Sequence, residues 1–128
     1  MSDVVVTVPQ RLWQEWIAEG DGPGEEWSGL ESFFHVGGGR PRIVPGERVY
    51  IVAYGLLRGY APLVRLEETD FGFELVRRDR AEAVTIDEPI PGFRGWRYRW
   101  WQREVEREFP DWRTRGLPAT LFAEGHSR

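Results

Sequence analysis

The chain has 128 residues, of which 41% are apolar, and a formal net charge of −4. That length is typical of one domain and suffices for a buried core. The absence of cysteine excludes disulfides and thiolate metal sites. No apolar run has the length of a transmembrane helix, and the first residues lack the basic region of a signal peptide. We expect a cytoplasmic protein that makes no membrane contact.

The charges are distributed unevenly along the chain. Residues 1–39 contain one arginine, Arg11, and seven acidic residues, whereas residues 92–115 contain seven arginines and four acidic residues. Every basic side chain other than histidine is arginine, so a lysine nucleophile or a Walker lysine is excluded. A positive C-terminal part on an acidic chain is typical of a protein that binds a polyanion on one side.

The N-terminal third predicts a strand, a helix and a long irregular segment. The β-branched residues 4–8 indicate a buried strand. Leu12, Trp13, Trp16 and Ile17 share one helical face, which we expect to pack on a core. Residues 20–46 are rich in glycine and favour a loop with at most one short strand at residues 33–36.

Two hairpins are predicted in the middle of the chain. Residues 47–54 are apolar on both faces, which favours a strand covered on both sides, and residues 56–66 return after a turn at Gly55. In residues 71–76, Phe71, Phe73 and Leu75 alternate with the residues between them, and residues 81–86 are expected to return after a turn as the second strand of another hairpin.

The C-terminal part predicts a loop over residues 87–95, a strand over 96–101 and a short helix over 101–109. The fold class is therefore mainly β with α (α+β): about six mostly antiparallel strands and one or two helices in a small, partly closed barrel. No linker divides the chain, so we expect a single domain over residues 1–128, in which residues 110–128 form an extended C-terminal segment.

Residues with recognisable catalytic or metal-binding spacing are absent. His35 and His126 do not have zinc-helix spacing, and no serine lies in a nucleophile motif. Gly37-Gly38-Gly39-Arg40 is not followed by a helix, so we interpret it as a turn and not as a phosphate loop. Adjacent carboxylates such as Glu25 and Glu26 are expected to be solvated. We predict no cofactor and no metal, and enzymatic activity is uncertain but not favoured.

The run from Phe93 to Trp101 carries the functional hypothesis. On a strand, Trp96, Tyr98 and Trp100 alternate with Arg97, Arg99 and Trp101. We expect the first set to face the core and the second set to face outward, although the nearby acids could neutralise the arginines. The candidate nucleic-acid-binding residues are Arg94, Arg97, Arg99 and Trp101, with Arg40 and Arg42 from the glycine-rich loop.

Residues 45–52, which read PGERVYIV, and residues 57–60, which read LRGY, resemble the core of PUA-like domains of the ASCH and EVE type. The resemblance covers about residues 4–109 and implies a pseudo-barrel with a cleft for RNA or a single, sometimes modified, base. It implies fold-defining positions at Gly46, Arg48 and Gly59. The ASCH lysine signature has no counterpart here, which disfavours the hydrolase branch of the family.

The sequence thus predicts a non-catalytic module that binds RNA or a nucleotide. Arginines would contact phosphate and aromatic side chains would stack on a base. One alternative is a small hydrolase that acts on a modified nucleoside or on RNA. Another is a protein-interaction module whose tryptophans form the partner surface. The sequence does not determine the oligomeric state.

Overall fold

The computed structural model describes residues 2–14, 31–78 and 81–118, which form mainly β-structure. Two 3-10 helices are described, Gln10–Leu12 and Arg103–Val105. The described strands are β1 (Val4–Thr7), β2 (Glu31–Val36), β3 (Arg48–Ala53), β4 (Leu56–Thr69), β5 (Gly72–Arg78), β6 (Val84–Thr85), β7 (Trp96–Tyr98) and β8 (Arg107–Glu108).

Six of these strands form one mixed sheet in the order β2-β5-β4-β3-β1-β7. Strands β1 and β3 are parallel, and all other neighbours in the sheet are antiparallel. Strands β6 and β8 pair separately as a small antiparallel sheet. The prediction of a β-rich fold of mostly antiparallel strands is confirmed.

The sheet bends along β4, because this strand pairs with two different neighbours in succession. Its first half pairs with β3 and its second half with β5. The register shifts between Ile51 and Val52 in β3 and between Leu63 and Arg65 in β4. Such irregularities increase local twist and bend a strand.

The bending brings the two edges of the sheet toward each other. Phe34 and Val36 of edge strand β2 pack in one apolar cluster with Val4, Val6 and Trp96 of β1 and β7. No hydrogen-bonded ladder joins β2 to β1 or β7 in the described residues, so the sheet is curled but not closed into a barrel.

The central strands are buried on both faces, as the sequence predicts. Val4 and Val6 pack in one cluster, whereas Val5 packs in another with Tyr50 and Val52. A third cluster contains Ile51 and Trp13. Burial of several valine and isoleucine side chains, each worth about 1.5–3 kcal/mol, makes these strands the stable centre of the fold.

Two glycines are required by local geometry. At the β3–β4 turn, Tyr54 and Gly55 both have positive φ, which is typical of a tight two-residue hairpin turn. A Cβ on Gly59 would lie 2.3 Å from the carbonyl oxygen of Glu82, which is hydrogen-bonded to Tyr60. Gly59 therefore allows a close crossing of two backbone segments.

Several predicted elements differ from the structure. Strand β5 pairs with β2 and β4, and β6 pairs with β8, so the predicted hairpin between residues 71–76 and 81–86 is wrong. The predicted helix over residues 101–109 is also wrong, since it is a 3-10 turn followed by β8. Of the predicted N-terminal helix, Trp13 is buried as expected, whereas Trp16 and Ile17 lie outside the described residues.

Residues 110–118, which belong to the predicted extended C-terminal segment, pack against the core. Trp112 is buried in the core, and Arg58 fixes this segment from inside. The buried guanidinium of Arg58 donates to the carbonyl oxygens of Ala53, Trp112 and Arg115 at 2.9, 2.8 and 2.6 Å. Burial lowers the pKa of Arg58 to about 10, so the group remains charged at neutral pH. Residues 119–128 lie outside the described part.

Candidate functional site

A cleft of about 600 Å³ lies at the seam between the two edges of the curled sheet. Its described lining comes from the end of β1, the 3-10 helix Gln10–Leu12, strand β2 and residues 93–95. Small-molecule sites typically have volumes of about 300–1,000 Å³. The cleft is therefore large enough for a ligand of nucleotide size.

The lining combines exposed apolar surface with nitrogen-bearing side chains. Phe33 is 57% exposed, and Leu12 is also exposed. Arg11, His35 and Arg94 contribute the nitrogen-bearing groups, and Thr7 contributes a hydroxyl. No aspartate or glutamate lines the cleft among the described residues, although acidic residues outnumber arginines in the whole chain. The described wall of the cleft is consequently positive, while the protein is negative.

Arg94 lies where this cleft meets two further concavities. One, of about 350 Å³, is lined by residues that include Tyr54, Gly92 and Phe93. The other, of about 580 Å³, is lined by Gly37, Gly38, Gly39, Arg94, Gly95 and Trp96, and we call it the glycine groove. Arg94 thus reaches three adjoining depressions of the surface.

Local contacts hold the loop before β7 in place. The Phe93 N–H donates to Thr7 Oγ1 at 3.3 Å, and the guanidinium of Arg97 lies 4.4 Å from the centre of the Phe93 ring. The Trp96 Nε1–H donates to the Gly39 carbonyl oxygen at 3.0 Å. These contacts fix the backbone on both sides of Arg94.

The glycine-rich loop that precedes β3 is fixed against β7. The Arg42 N–H donates to the Tyr98 hydroxyl at 3.0 Å. The exposed Arg40 guanidinium lies 3.6 Å from a Glu68 carboxylate oxygen. The structure therefore places this loop beside Trp96 and Tyr98, but no described contact joins the side chain of Arg40 or Arg42 to Arg94 or Arg97.

The predicted division of the run 93–101 into two faces is wrong at its C-terminal end. Tyr98 and Trp100 are exposed, whereas Trp101 is only 8% exposed. Strand β7 ends at Tyr98, so alternation stops there and the chain turns inward. The Trp101 ring packs edge-on against Tyr50, and its Nε1–H donates to Glu106 at 2.8 Å. In this structure Trp101 is a core residue and not a stacking surface.

Arg99 also differs from the expected outward-facing arginine. Its Nε–H donates to a carboxylate oxygen of Asp3 at 3.1 Å, and Arg103 donates to the same oxygen at 2.8 Å. The backbone N–H of Arg48 donates to the other oxygen at 2.8 Å. Burial opposes ionisation of Asp3, but these hydrogen bonds outweigh it and hold the pKa of Asp3 below its ordinary value of 3.8.

A second carboxylate completes this group of contacts. The Tyr50 hydroxyl donates to Glu106 at 2.6 Å, and the Arg48 guanidinium donates to the other Glu106 oxygen at 3.1 Å. Burial raises the pKa of Tyr50, and the bond to Glu106 raises it further. We call Arg48, Arg99 and Arg103, with Asp3 and Glu106, the paired-arginine cluster.

Sequence reasoning missed three residues of the cleft: Arg11, Phe33 and His35. Arg11 had a signal, since it is the only basic residue besides His35 among residues 1–39. The sequence gives no such signal for Phe33, because the run Phe33–Val36 does not show whether the ring of Phe33 or that of Phe34 is exposed. Their proximity to Arg94 depends on the curl of the sheet, which no local pattern encodes.

The described residues contain no cluster of three or more histidine, aspartate or glutamate side chains that could hold a metal ion. Within the same ranges, no helix has the length and hydropathy needed to span a bilayer. Comparison with known proteins finds no matching family model, no similar curated protein and no similar solved structure.

Proposed function

We propose that this protein is a non-catalytic module that binds RNA or a nucleotide at the cleft. One observation carries the proposal: the cleft joins an exposed aromatic ring, Phe33, to Arg11, His35 and Arg94, with no carboxylate in its described lining. A nucleotide presents a flat base and an anionic phosphate, and this lining offers a partner to each.

The base would stack on Phe33. Base–aromatic stacking is worth about 1–3 kcal/mol per base and tolerates any base, because every base has a flat π-face. Phe33 is more than half exposed, so stacking on its ring requires no rearrangement of the core. Phe93, whose ring is partly covered by Arg97, would supply a second apolar wall.

The phosphate would be bound by Arg94 and Arg11. A guanidinium donates two parallel hydrogen bonds to phosphate oxygens, and such charge-assisted bonds are stronger than neutral ones. No described carboxylate lies within ion-pair distance of either arginine, in contrast to the paired-arginine cluster. Their charge is therefore available to a ligand.

The lining favours binding over catalysis. General acid–base chemistry commonly uses a carboxylate, a histidine or a lysine close to a nucleophile. The described lining has one histidine, His35, and one hydroxyl, that of Thr7, but the Thr7 hydroxyl accepts the Phe93 N–H and has no hydrogen bond to His35 among the described contacts. This composition supports the binding module over the hydrolase alternative.

We also propose that the fold is PUA-like. The supporting observations are the curled sheet, the cleft at its seam, and structural roles for the three positions that the resemblance singles out. Gly46 has a φ of +92°, Arg48 bonds to Tyr50 and Glu106, and Gly59 allows the backbone crossing at Glu82. A six-stranded sheet that nearly meets itself is close to a pseudo-barrel in shape.

The proposal can be tested by fluorescence anisotropy with a fluorescein-labelled oligo(U) octamer. We expect wild type to bind, and Phe33→Ala and Arg94→Ala each to weaken binding at least about fivefold, since stacking and phosphate contacts are worth more than about 1 kcal/mol. The matched control is Arg65→Ala, which removes an exposed arginine paired with Glu67 on β4. Absence of binding by wild type, or equal losses in all three variants, would contradict the proposal.

A further inference from the structure

We infer that the ligand is a single strand of at least two nucleotides, which runs from the cleft across Arg94 into the glycine groove. This inference rests on the proposed function and specifies its substrate class. It places one base against Phe33 in the cleft, the linking phosphate at Arg94 and the next nucleotide along Trp96.

The size of the two depressions is the first argument. The cleft and the glycine groove have volumes of about 600 and 580 Å³ and share Arg94 and Gly95 in their linings. Each volume alone falls in the range of about 300–1,000 Å³ that is usual for a small-molecule site. A lone nucleotide would occupy one depression and leave the adjoining one empty.

The floor of the glycine groove is the second argument. A Cβ on Gly37, Gly38 or Gly39 would have no atom within 4 Å, so side chains here would project into open space. Crowding does not explain the three glycines, and only Gly38, with a φ of +88°, is required by backbone conformation. A floor without side chains lets a ligand approach the protein backbone closely.

The order of chemical groups is the third argument. We call the path from the cleft across Arg94 into the glycine groove the track. Along it follow an exposed aromatic ring, an arginine and a half-buried indole, which belong to Phe33, Arg94 and Trp96. A single strand presents base, phosphate and base in the same alternation, which proteins bind by aromatic stacking and basic contacts. The described lining of both depressions contains no carboxylate that would repel the strand.

The test compares ligands of increasing length by isothermal titration calorimetry: uridine 5′-monophosphate, UpU and UpUpU. The track predicts that affinity increases at least tenfold from the mononucleotide to UpUpU. It also predicts that Gly39→Glu, which places a carboxylate in the groove without a positive-φ penalty, weakens UpUpU at least fivefold and the mononucleotide less than twofold. Gly39→Gln serves as the uncharged control of equal size.

Weaker binding of UpUpU by Gly39→Glu alone, or by both Gly39 variants, would support the track. Equal affinity for the mononucleotide and UpUpU in wild type, or wild-type affinity for UpUpU in Gly39→Glu, would overturn it while leaving the proposed function intact. Failure of wild type to bind any of these ligands would overturn both. Circular dichroism of each variant checks that the fold is retained.

Discussion

Two groups of arginines from the same part of the sequence have opposite environments. In the paired-arginine cluster, Arg99 and Arg103 both donate to the buried carboxylate of Asp3. At the cleft, Arg94 is exposed, and no described carboxylate lies within ion-pair distance of it. These three side chains lie within ten residues of one another, yet only one retains an unpaired charge.

The difference shows that proximity to a buried carboxylate, and not arginine content, decides which of these three arginines is paired. Asp3 and Glu106 lie close to β1 and β3, and arginines within their reach stabilise the fold. Arg94 lies beyond their reach and has no carboxylate of the described residues within ion-pair distance.

The largest effect is expected at Arg58, whose side chain is fully buried. Replacement by Met would leave the carbonyl oxygens of Ala53, Trp112 and Arg115 without a donor, and we expect the free energy of unfolding to decrease by about 3 kcal/mol. Urea denaturation followed by tryptophan fluorescence measures this change. Arg65→Met on the exposed face of β4 is the control. A similar decrease in the free energy of unfolding of Arg65→Met would contradict a special contribution of the buried Arg58.

A smaller loss of stability is expected for Asp3→Ala. This change removes the carboxylate that accepts hydrogen bonds from Arg48, Arg99 and Arg103, and we expect a loss of about 2 kcal/mol because two of its donors remain partly solvated. The same denaturation experiment applies. Unchanged stability would show that the paired-arginine cluster does not support the fold.

The pH dependence of stability provides an independent test of Asp3. Its pKa is lower in the folded protein than the ordinary 3.8, so its contribution is complete above that value and is lost as the pH falls through the folded-state pKa. The stability difference between wild type and Asp3→Asn should therefore shrink as the pH is lowered from about 5 toward about 2. A difference that stays constant over this range would contradict the assignment.

The smallest effect is expected for Arg97→Ala. The guanidinium lies over Phe93 and acts on the cleft through that ring, so we expect oligo(U) affinity to decrease only about twofold to threefold, equivalent to a cation–π contact of about 0.5 kcal/mol. Anisotropy titrations of Arg97→Ala and Arg94→Ala with the same oligo(U) measure the two decreases in affinity. A loss as large as that of Arg94→Ala would mean that Arg97 contacts the ligand directly.

Local sequence patterns predicted the parts of the fold that depend on neighbouring residues. The buried β1, the hairpin at Tyr54-Gly55 and the double-sided burial of β3 follow from β-branched runs and turn residues. The parallel pairing of β1 with β3 does not, since it joins segments more than forty residues apart. The prolines and glycines of residues 87–95 likewise predicted the loop that carries the exposed Arg94.

The inward position of Trp101 could not be predicted from alternation. Strand β7 ends where the Arg99 N–H donates to the Asp3 carbonyl oxygen, a contact between residues 96 positions apart in the sequence. The same limit applies to the cleft, because Phe33 meets Arg94 only when the sheet curls. Contacts between distant segments determine both features.

The salt dependence of oligo(U) binding by Arg94→Ala and Arg103→Ala shows whether Arg94, and not Arg103, contacts the phosphates of the ligand. Each change removes one positive charge, but Arg103 is paired with Asp3 and Arg94 is not. We predict that Arg94→Ala reduces the slope of log K against log salt by about 1 and weakens binding, whereas Arg103→Ala leaves both nearly unchanged. Equal slopes in wild type and Arg94→Ala, or an equal reduction in both variants, would contradict the account.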